Sequence, residues 1–303
     1  MKKVPYYPGC TLKTTAKSFE ASALESARVL GFELVEIPDW TCCGTVFSLA
    51  SDTVMHHVAA VRNLVHVQAM GENKLLTLCS MCYNTLKQVN QLVKNDPEKL
   101  ETINRFIQPE EEAYRAEVKV IHMLEYIRDE IGFDNLAKKV KNPLKGLKIV
   151  PYYGCMLLRP KGIGIDDPEQ PTIMEEFIKA LGAEVVDNPL KNECCGAYHT
   201  VDKKDLVAER AYKIITAAEA QGGEIMITSC PLCHFNLDKR QERTLELHPD
   251  FKQMPVMYFT QLLALALGLD EKYLGLNGNY IDPRPILEEK GLLPVKKEVD
   301  VKN

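Results

Sequence analysis

The sequence predicts an α/β fold built from two tandem domains, each with a mostly parallel β-sheet flanked by helices. One observation is an internal repeat: all ten cysteines fall into two sets of five, spaced C-x31-CC-x35-C-x2-C and C-x38-CC-x34-C-x2-C. The other is that short apolar runs alternate with longer amphipathic stretches in both copies, which is typical of a parallel sheet with crossover helices. Self-similarity on this scale indicates two copies of one domain, and the alternation makes each copy Rossmann-like.

The text around the cysteines repeats as well. The matched segments are "PYYPGC" with "PYYGC", "LGFELVEIPDWTCCG" with "LGAEVVDNPLKNECCG", and "LLTLCSMCYN" with "MITSCPLCHF". We expect a first domain over residues 1–140, a second over 141–285 and a C-terminal tail over 286–303, with 134–147 as the linker.

Apolar residues at helical spacing predict the helices. One face of the stretch 14–30 is formed by Phe19, Ala23, Ala27 and Leu30. Gly31 then stands where a glycine commonly ends a helix. Further helices are expected over 53–70 and 204–221, and the charged region 94–117 is expected to form a helical excursion on the surface.

Short apolar runs predict the strands. The runs at 33–37, 74–78 and 224–228 are nearly unbroken, as the strands of buried parallel sheets are. Each copy then ends in a further strand–helix unit, over 118–127 in the first copy and 255–267 in the second.

Composition narrows the class of protein. The chain has 303 residues, 46% of them hydrophobic, and a formal net charge of −5 with acids and bases interspersed, which argues against nucleic acid as a partner. No run of 18 apolar residues occurs, so no membrane span is expected. The first residues do not resemble a signal peptide, and we therefore expect a cytoplasmic location. Ten cysteines in a reducing compartment point to metal or redox chemistry rather than to disulfides.

The cysteines follow the predicted strands. Cys10 and Cys155 end the first strand of each copy, the adjacent pairs follow the second strand, and each CxxC motif ends the third. Because the carboxyl ends of parallel strands share one edge of a sheet, we expect five thiols to converge there in each copy. The glycines after the pairs, Gly44 and Gly196, allow a positive φ or a close backbone approach.

Several kinds of site use cysteines at such spacings. A disulfide between adjacent cysteines has strained geometry and leaves three thiols per copy unexplained. Zinc takes four ligands and usually two CxxC hooks, whereas each copy has five thiols and one hook. A cubane cluster takes four cysteines. It would leave one cysteine in each copy without a role, at the same position of the repeat. The pattern favours an iron–sulfur cluster that uses all five thiols and is not a simple cube.

The duplicated pattern resembles the cysteine-rich CCG-domain family, and the chain as a whole resembles the B subunit of heterodisulfide reductase over about residues 1–285. The resemblance implies one non-cubane [4Fe-4S] cluster in each CCG domain. Its implied ligands are Cys10, Cys42, Cys43, Cys79 and Cys82 in the first domain and Cys155, Cys194, Cys195, Cys230 and Cys233 in the second.

The same resemblance implies a function and partners. The substrate would be the coenzyme M–coenzyme B disulfide or a related disulfide, held between the two clusters. Electrons would arrive from a ferredoxin-like C subunit with cubane [4Fe-4S] clusters, beside a flavin-containing A subunit. No GxGxxG fingerprint for a flavin or nicotinamide is present, which agrees with an external electron source. The alternative is an electron-relay or docking component that serves another oxidoreductase.

Few other residues are candidates for chemistry. Met156 follows Cys155, and a thioether cannot donate a proton. Either another group such as His199 protonates the product, or the natural substrate is a different disulfide or another electron acceptor. The position of His199 near a ligand favours a hydrogen bond behind that ligand over proton donation, since histidines near metal sites commonly have that role. Arg159 and Lys161 could hold an anionic substrate or be solvated loop charges.

Overall fold

Two four-stranded parallel sheets form the centre of a computed structural model that describes residues 1–45, 53–108 and 111–294. The first sheet has the strand order β2-β1-β3-β4, and the second has the matching order β6-β5-β7-β8. The strands are β1 Lys2–Tyr7, β2 Phe32–Glu36, β3 Lys74–Thr77, β4 Lys119–His122, β5 Lys148–Pro151, β6 Glu184–Val185, β7 Ile225–Thr228 and β8 Val256–Tyr258. The α/β fold with two flanked parallel sheets is thereby confirmed.

Helices connect successive strands and cover the sheets. In the first half they are α1 Lys17–Leu30, α2 Val58–Ala69, α3 Ser80–Asn95, α4 Pro97–Ile107, α5 Met123–Tyr126 and α6 Phe133–Lys139. In the second half they are α7 Ile173–Ala180, α8 Lys204–Ala220, α9 Pro231–Leu237, α10 Gln241–Leu247, α11 Phe259–Ala266, α12 Glu271–Leu274 and α13 Arg284–Glu289. Single turns of 3₁₀-helix lie at Val54–His57, Ala197–His199 and Leu276–Gly278, and a π-helical turn lies at Ile127–Ile131.

The first helix shows how local sequence sets these bounds. Phe19, Ala23 and Ala27 are fully buried along one face of α1. Gly31 ends the helix in the left-handed conformation, with φ 99°, and its N–H donates to the Ala27 and Arg28 carbonyls. The helix begins at Lys17, three residues later than expected, because residues 11–15 form turns after the first strand.

Two connecting regions contain helices with buried residues. The stretch 134–147 is predicted to be a linker. Helix α6 covers residues 134–139 of it, and both Leu136 of that helix and Leu144 beyond it are fully buried. The region 94–117 does contain a helix, α4, but Ile103 and Ile107 of that helix are buried. Apolar residues at isolated positions in a charged stretch were enough to anchor both segments.

The two halves share one continuous core. The Phe19 ring stacks on the Tyr258 ring at 4.2 Å, and the buried hydroxyls of Ser22 and Thr260 lie 2.7 Å apart. Phe259 of the second half contacts both Phe19 and His122 of the first. The two halves therefore pack against each other through buried side chains of one core.

Candidate functional site

All ten cysteines lie at the carboxyl edges of the two sheets. Cys10 and Cys155 follow the first strand of their sheet, the adjacent pairs follow the second strand, and each CxxC motif joins the third strand to the next helix. Every one of the ten is a free thiol. The predicted gathering of each set at one sheet edge is what the structure contains.

Within each half the thiols form a row of contacts. In the first half Cys43 Sγ lies 3.7 Å from Cys82 Sγ, while Cys10 interacts with Cys42 and Cys79 with Cys82.

The second half repeats these contacts. Cys195 Sγ lies 3.4 Å from Cys233 Sγ, Cys155 interacts with Cys194, and Cys230 interacts with Cys233. The equivalent sulfurs therefore meet in both halves.

A buried tyrosine holds each CC loop. Tyr7 at the end of β1 donates its hydroxyl to the Thr41 carbonyl at 2.8 Å, and Tyr152 after β5 donates to the Glu193 carbonyl at 2.6 Å. Both carbonyls belong to the residue directly before a CC pair. Each tyrosine thus fixes the loop that presents two of the thiols.

Glycines make room beside the thiols. Gly9 and Gly154 have φ of +73° and +63°, and a Cβ added there would lie 2.9 Å from Cys82 Sγ and 3.3 Å from Cys233 Sγ. Gly44 and Gly196 also have positive φ, at 85° and 83°, as their residue type predicts. The Gly196 N–H points at Cys194 Sγ at 3.3 Å.

The local environment favours thiolates at particular cysteines. Interaction with the Cys155 thiol lowers the pKa of Cys194 to about 5, with help from the backbone N–H groups of Gly196 and Ala197. The pKa of Cys43 is likewise lowered, first by Cys42 and then by Cys82. Because the thiolate is the form that binds metal, both CC loops are suited to ligation.

Five thiols from three segments of each half form a donor set that suits a polynuclear group. In residues 1–45, 53–108 and 111–294, no three His, Cys, Asp or Glu side chains are arranged around one metal position. An iron–sulfur cluster spreads its thiolate ligands over several irons and does not require such an arrangement.

Two repeat-related hydroxyls support this fit. Thr77 and Thr228 end the third strand of each sheet, two residues before a CxxC motif. The Oγ1 atoms of both are buried and have no hydrogen-bond partner among the described residues. Buried hydroxyls normally have a partner, and a sulfur acceptor held at the sheet edge would provide one.

The structure assigns different surroundings to the other candidate residues. The Arg159 guanidinium donates to the Asn192 carbonyl at 2.9 Å and to the Pro168 carbonyl at 3.3 Å, and it lies 3.3 Å from Glu169. Arg159 is therefore occupied in holding two loops together. His199 ends a 3₁₀ turn after Gly196, is partly exposed, and has its Nδ1 3.8 Å from Asp202.

A cleft beside the second set of cysteines contains a residue that sequence reasoning missed. Its volume is about 540 Å³, and its walls are Gln88, Met156, Arg159, Pro160, Lys161, Pro168, Glu169 and Tyr198. The Tyr198 hydroxyl lies 4.0 Å from Met156 Sδ. Partial burial, together with Cys155, Cys194 and Cys230, raises the pKa of Tyr198, so its hydroxyl keeps its proton. Its position three residues after Cys195 was the available signal.

Comparison with known families matches both halves. The family described as "Cysteine-rich domain" (CCG) matches residues 4–87 and 149–238.

In residues 1–45, 53–108 and 111–294, none of the helices has the length and apolar character needed to cross a membrane.

Several characterised proteins are similar over nearly their whole length. The 8-methylmenaquinol:fumarate reductase membrane anchor subunit of Wolinella succinogenes is 34% identical, over 93% of this chain and 98% of that protein. The B subunit of a ferredoxin/F420H2-dependent CoB–CoM heterodisulfide reductase of Methanosarcina acetivorans is 29% identical, over 93% of this chain and 94% of that protein. A protein of Archaeoglobus profundus, described as like the B subunit of heterodisulfide reductase, is 28% identical, over 91% and 94%.

Among solved structures, a hypothetical protein from Helicobacter pylori has a similar fold. The TM-score is 0.75 at 12% identity, and the match covers 92% of this chain and 52% of that chain. This chain thus spans about half of that larger protein, and the likeness concerns the fold alone.

Proposed function

The chain belongs to the cysteine-rich CCG-domain family and resembles the B subunit of heterodisulfide reductase throughout, and on that premise we propose that each half binds one non-cubane [4Fe-4S] cluster through its five cysteines. The observation that carries the proposal is the paired gathering of thiols, with equivalent sulfurs in contact at 3.7 Å in one half and 3.4 Å in the other. We propose ten ligands: Cys10, Cys42, Cys43, Cys79, Cys82, Cys155, Cys194, Cys195, Cys230 and Cys233.

The proposed reaction is the reduction of a disulfide within a multi-subunit complex. A disulfide takes up two electrons, and a bound iron–sulfur cluster supplies one electron at a time. If all ten cysteines are ligands, none is left for thiol–disulfide exchange of the thioredoxin kind. The proposed substrate is the coenzyme M–coenzyme B disulfide or a related one.

Partners supply the electrons in this proposal. We expect a ferredoxin-like C subunit with cubane [4Fe-4S] clusters and a flavin-containing A subunit, in the cytoplasm. Support comes from the relatives, which are named as B subunits of ferredoxin- or F420H2-dependent reductases.

The cleft beside Cys155 is the proposed place for one end of the disulfide. Its Lys161 is an exposed cation, whereas Arg159 is held by loop carbonyls and positions the wall. The Tyr198 hydroxyl keeps its proton, since its pKa is raised by partial burial, and it lies on that wall 4.0 Å from Met156 Sδ. We propose that Tyr198 donates a proton to the departing thiolate, with His199 as the second candidate.

A relay function is the second candidate, and the Wolinella relative supports it. That protein is named as part of a fumarate reductase and is 34% identical to this chain. In this alternative the same clusters would carry electrons to or from another oxidoreductase without reducing a disulfide.

Metal analysis with EPR tests the proposed function. Anaerobically purified chain is expected to contain about eight irons and no stoichiometric zinc. Addition of candidate disulfides to the oxidised protein is expected to produce a new paramagnetic signal. About four irons with one zinc would rule out the two-cluster proposal, whereas eight irons with a spectrum insensitive to disulfides would support relay.

Turnover in the reconstituted complex tests the substrate and the proton donor. Tyr198→Phe is expected to lower kcat for the disulfide while iron content stays unchanged. If the native chain does not turn over the coenzyme M–coenzyme B disulfide and Met156→His restores nothing, that substrate is wrong and relay takes its place.

A further inference from the structure

The two halves contact each other directly at their CxxC motifs. The Ser80 N–H donates to the Ser229 carbonyl at 3.0 Å, and the two serine hydroxyls lie 2.6 Å apart. Both serines are buried, Ser80 at 1% and Ser229 at 0% exposure. Water is therefore kept from this contact, and each hydroxyl is paired with the other.

The contact joins the peptide groups next to two cysteines. Ser80 directly follows Cys79, and Ser229 directly precedes Cys230. The hydrogen bond from Ser80 N–H to Ser229 O therefore connects the peptide bond of Cys79 to the peptide bond of Cys230. The thiols of Cys79 and Cys230 also interact with each other across the same boundary.

A second buried hydroxyl pair in the same boundary has no such neighbours. Ser22 Oγ and Thr260 Oγ1 lie 2.7 Å apart, both at 0% exposure, and belong to α1 and α11. Neither residue adjoins a cysteine in the sequence. Of these two hydroxyl pairs, the Ser80–Ser229 pair lies beside cysteines and the Ser22–Thr260 pair does not.

The position of the Ser80–Ser229 pair matters for a reaction that takes two electrons. Electron transfer between two sites slows steeply with the distance and the number of non-bonded gaps between them. Here one hydrogen bond is the only non-bonded step on the backbone path from Cys79 to Cys230. Such a path favours exchange between groups held in the two halves.

We propose that Cys79–Ser80 and Ser229–Cys230 form an electronic bridge through which the two halves share electrons. The inference rests on the proposed function, because it requires a one-electron centre in each half. In each exchange the centre on one side is oxidised by one electron and the centre on the other side is reduced by one. The pair then acts as a two-electron unit, and an electron donor needs to reach only one half.

EPR of the fully reduced chain tests the bridge without any turnover. Spectra are recorded for the native chain and for two single-site chains, Cys42→Ala/Cys43→Ala and Cys194→Ala/Cys195→Ala. The native spectrum is expected to differ from the sum of the two single-site spectra, with faster spin relaxation and added splitting. A native spectrum equal to that sum would overturn the proposal.

Matched serine variants locate the coupling. Ser80→Ala/Ser229→Ala is expected to weaken the splitting measurably, because the hydroxyl pair that holds the backbone contact is lost. Ser22→Ala/Thr260→Ala removes an equally buried pair and is expected to leave the splitting unchanged. The role of this bridge would be overturned if the Ser80→Ala/Ser229→Ala chain showed the same splitting as the native chain. It would also be overturned if both double variants lost splitting to the same extent.

Iron content separates the two possible failures. If the native chain holds no iron–sulfur clusters, the proposed function fails before the bridge is tested. If about eight irons are present and the spectra simply add, the proposed function stands and only the bridge is wrong.

Discussion

The two halves have the same cysteine pattern but differ in how exposed their cysteines are to solvent. Cys10 and Cys42 of the first half are exposed, whereas their counterparts Cys155 and Cys194 are partly buried. Six residues separate Cys10 from α1, but seventeen separate Cys155 from α7. The repeat therefore gives the same order of thiols in both halves, while their exposure and the length of the loop after the first cysteine differ.

That loop is held by the first half. Tyr83 of α3 donates its hydroxyl to the Ile163 carbonyl at 2.8 Å, and the buried Asn84 amide donates to the Met156 and Arg159 carbonyls, both at 2.6 Å. The cleft that contains Met156 and Arg159 thus depends on a helix from the other half. The comparison teaches that duplication supplied two equal sites and that contact between the copies made them unequal.

Equivalent positions also exchange residue types. Tyr83 follows the first CxxC and meets His122 at the end of β4, with ring centres 5.8 Å apart. His234 follows the second CxxC and stacks on Tyr258 at the end of β8, at 4.2 Å. A histidine–tyrosine contact is kept in both halves although the two partners have changed places.

The largest expected effect tests whether the two sets of cysteines are equivalent. Cys42→Ala/Cys43→Ala and Cys194→Ala/Cys195→Ala are each expected to lower iron from about eight to about four per chain, because each removes two ligands of one cluster. Anaerobic iron and sulfide analysis measures this, with Ser26→Ala as a buried control that should keep all iron. Loss of all iron from either variant would show that the halves do not bind their clusters independently.

The next effect concerns a position that carries Lys87 in the first half and Asp238 in the second. Burial raises the pKa of Asp238 to about 7, although the N–H groups of Tyr280 and Ile281 donate to its carboxyl group. His234 Nε2 lies 3.8 Å away, but burial lowers the pKa of His234 to about 4, so it is neutral at pH 7. Burial also lowers the pKa of Lys87.

The free energy of unfolding should therefore fall as the pH rises from 3.8 to the raised pKa of Asp238, about 7. Below pH 3.8 the carboxyl is protonated in both the folded and unfolded states, and between 3.8 and about 7 only the folded state keeps the proton. The free energy of unfolding is expected to fall by up to about 4 kcal/mol over this range. Asp238→Asn mimics the neutral acid and should flatten the dependence in urea titrations from pH 4 to 8, whereas exposed Asp250→Asn should not. An unchanged slope in Asp238→Asn would contradict the assignment.

A smaller loss is expected when the clamp between the halves is removed. Asn84→Ala leaves the Met156 and Arg159 carbonyls without their donor and is expected to cost about 2–4 kcal/mol in the free energy of unfolding. Asn135 is exposed and donates to the Ile131 carbonyl within its own segment, so Asn135→Ala should cost under about 0.5 kcal/mol. Denaturant titration measures both, and equal costs would show that the clamp does not hold the second-half loop.

The smallest effect compares the two glycines beside the thiols. Alanine at Gly9 or Gly154 is strained by positive φ, at about 1 kcal/mol or more, and the added Cβ crowds Cys82 Sγ more closely than Cys233 Sγ. Gly31 also has a positive φ, and a Cβ added there has nothing within 4 Å, so Gly31→Ala serves as the control without crowding. Iron retention during gel filtration should rank Gly31→Ala above Gly154→Ala and Gly154→Ala above Gly9→Ala. The reverse order of the last two would show that crowding at the sulfur does not matter.

The sequence by itself determined the α/β class and the duplication. Apolar runs such as 74–78 and helical faces such as that of Phe19 are local patterns, and local periodicity reports strand and helix directly. The order of strands then placed each cysteine motif at a carboxyl edge, because parallel strands all end on the same side. The positive φ of Gly44 and Gly196 also followed from residue type.

Only the tertiary structure decided how the halves meet and what surrounds each site. Ser80 and Ser229 are 149 positions apart, and Asn84 is 72 positions from Met156. No periodic pattern in the chain reports contacts at such separations. The charge of Arg159 is visible in the sequence, whereas the Asn192 and Pro168 carbonyls to which its guanidinium donates are not. Tyr198 became a candidate only when the loop folded it against Met156, because a single aromatic residue has no local signature of function.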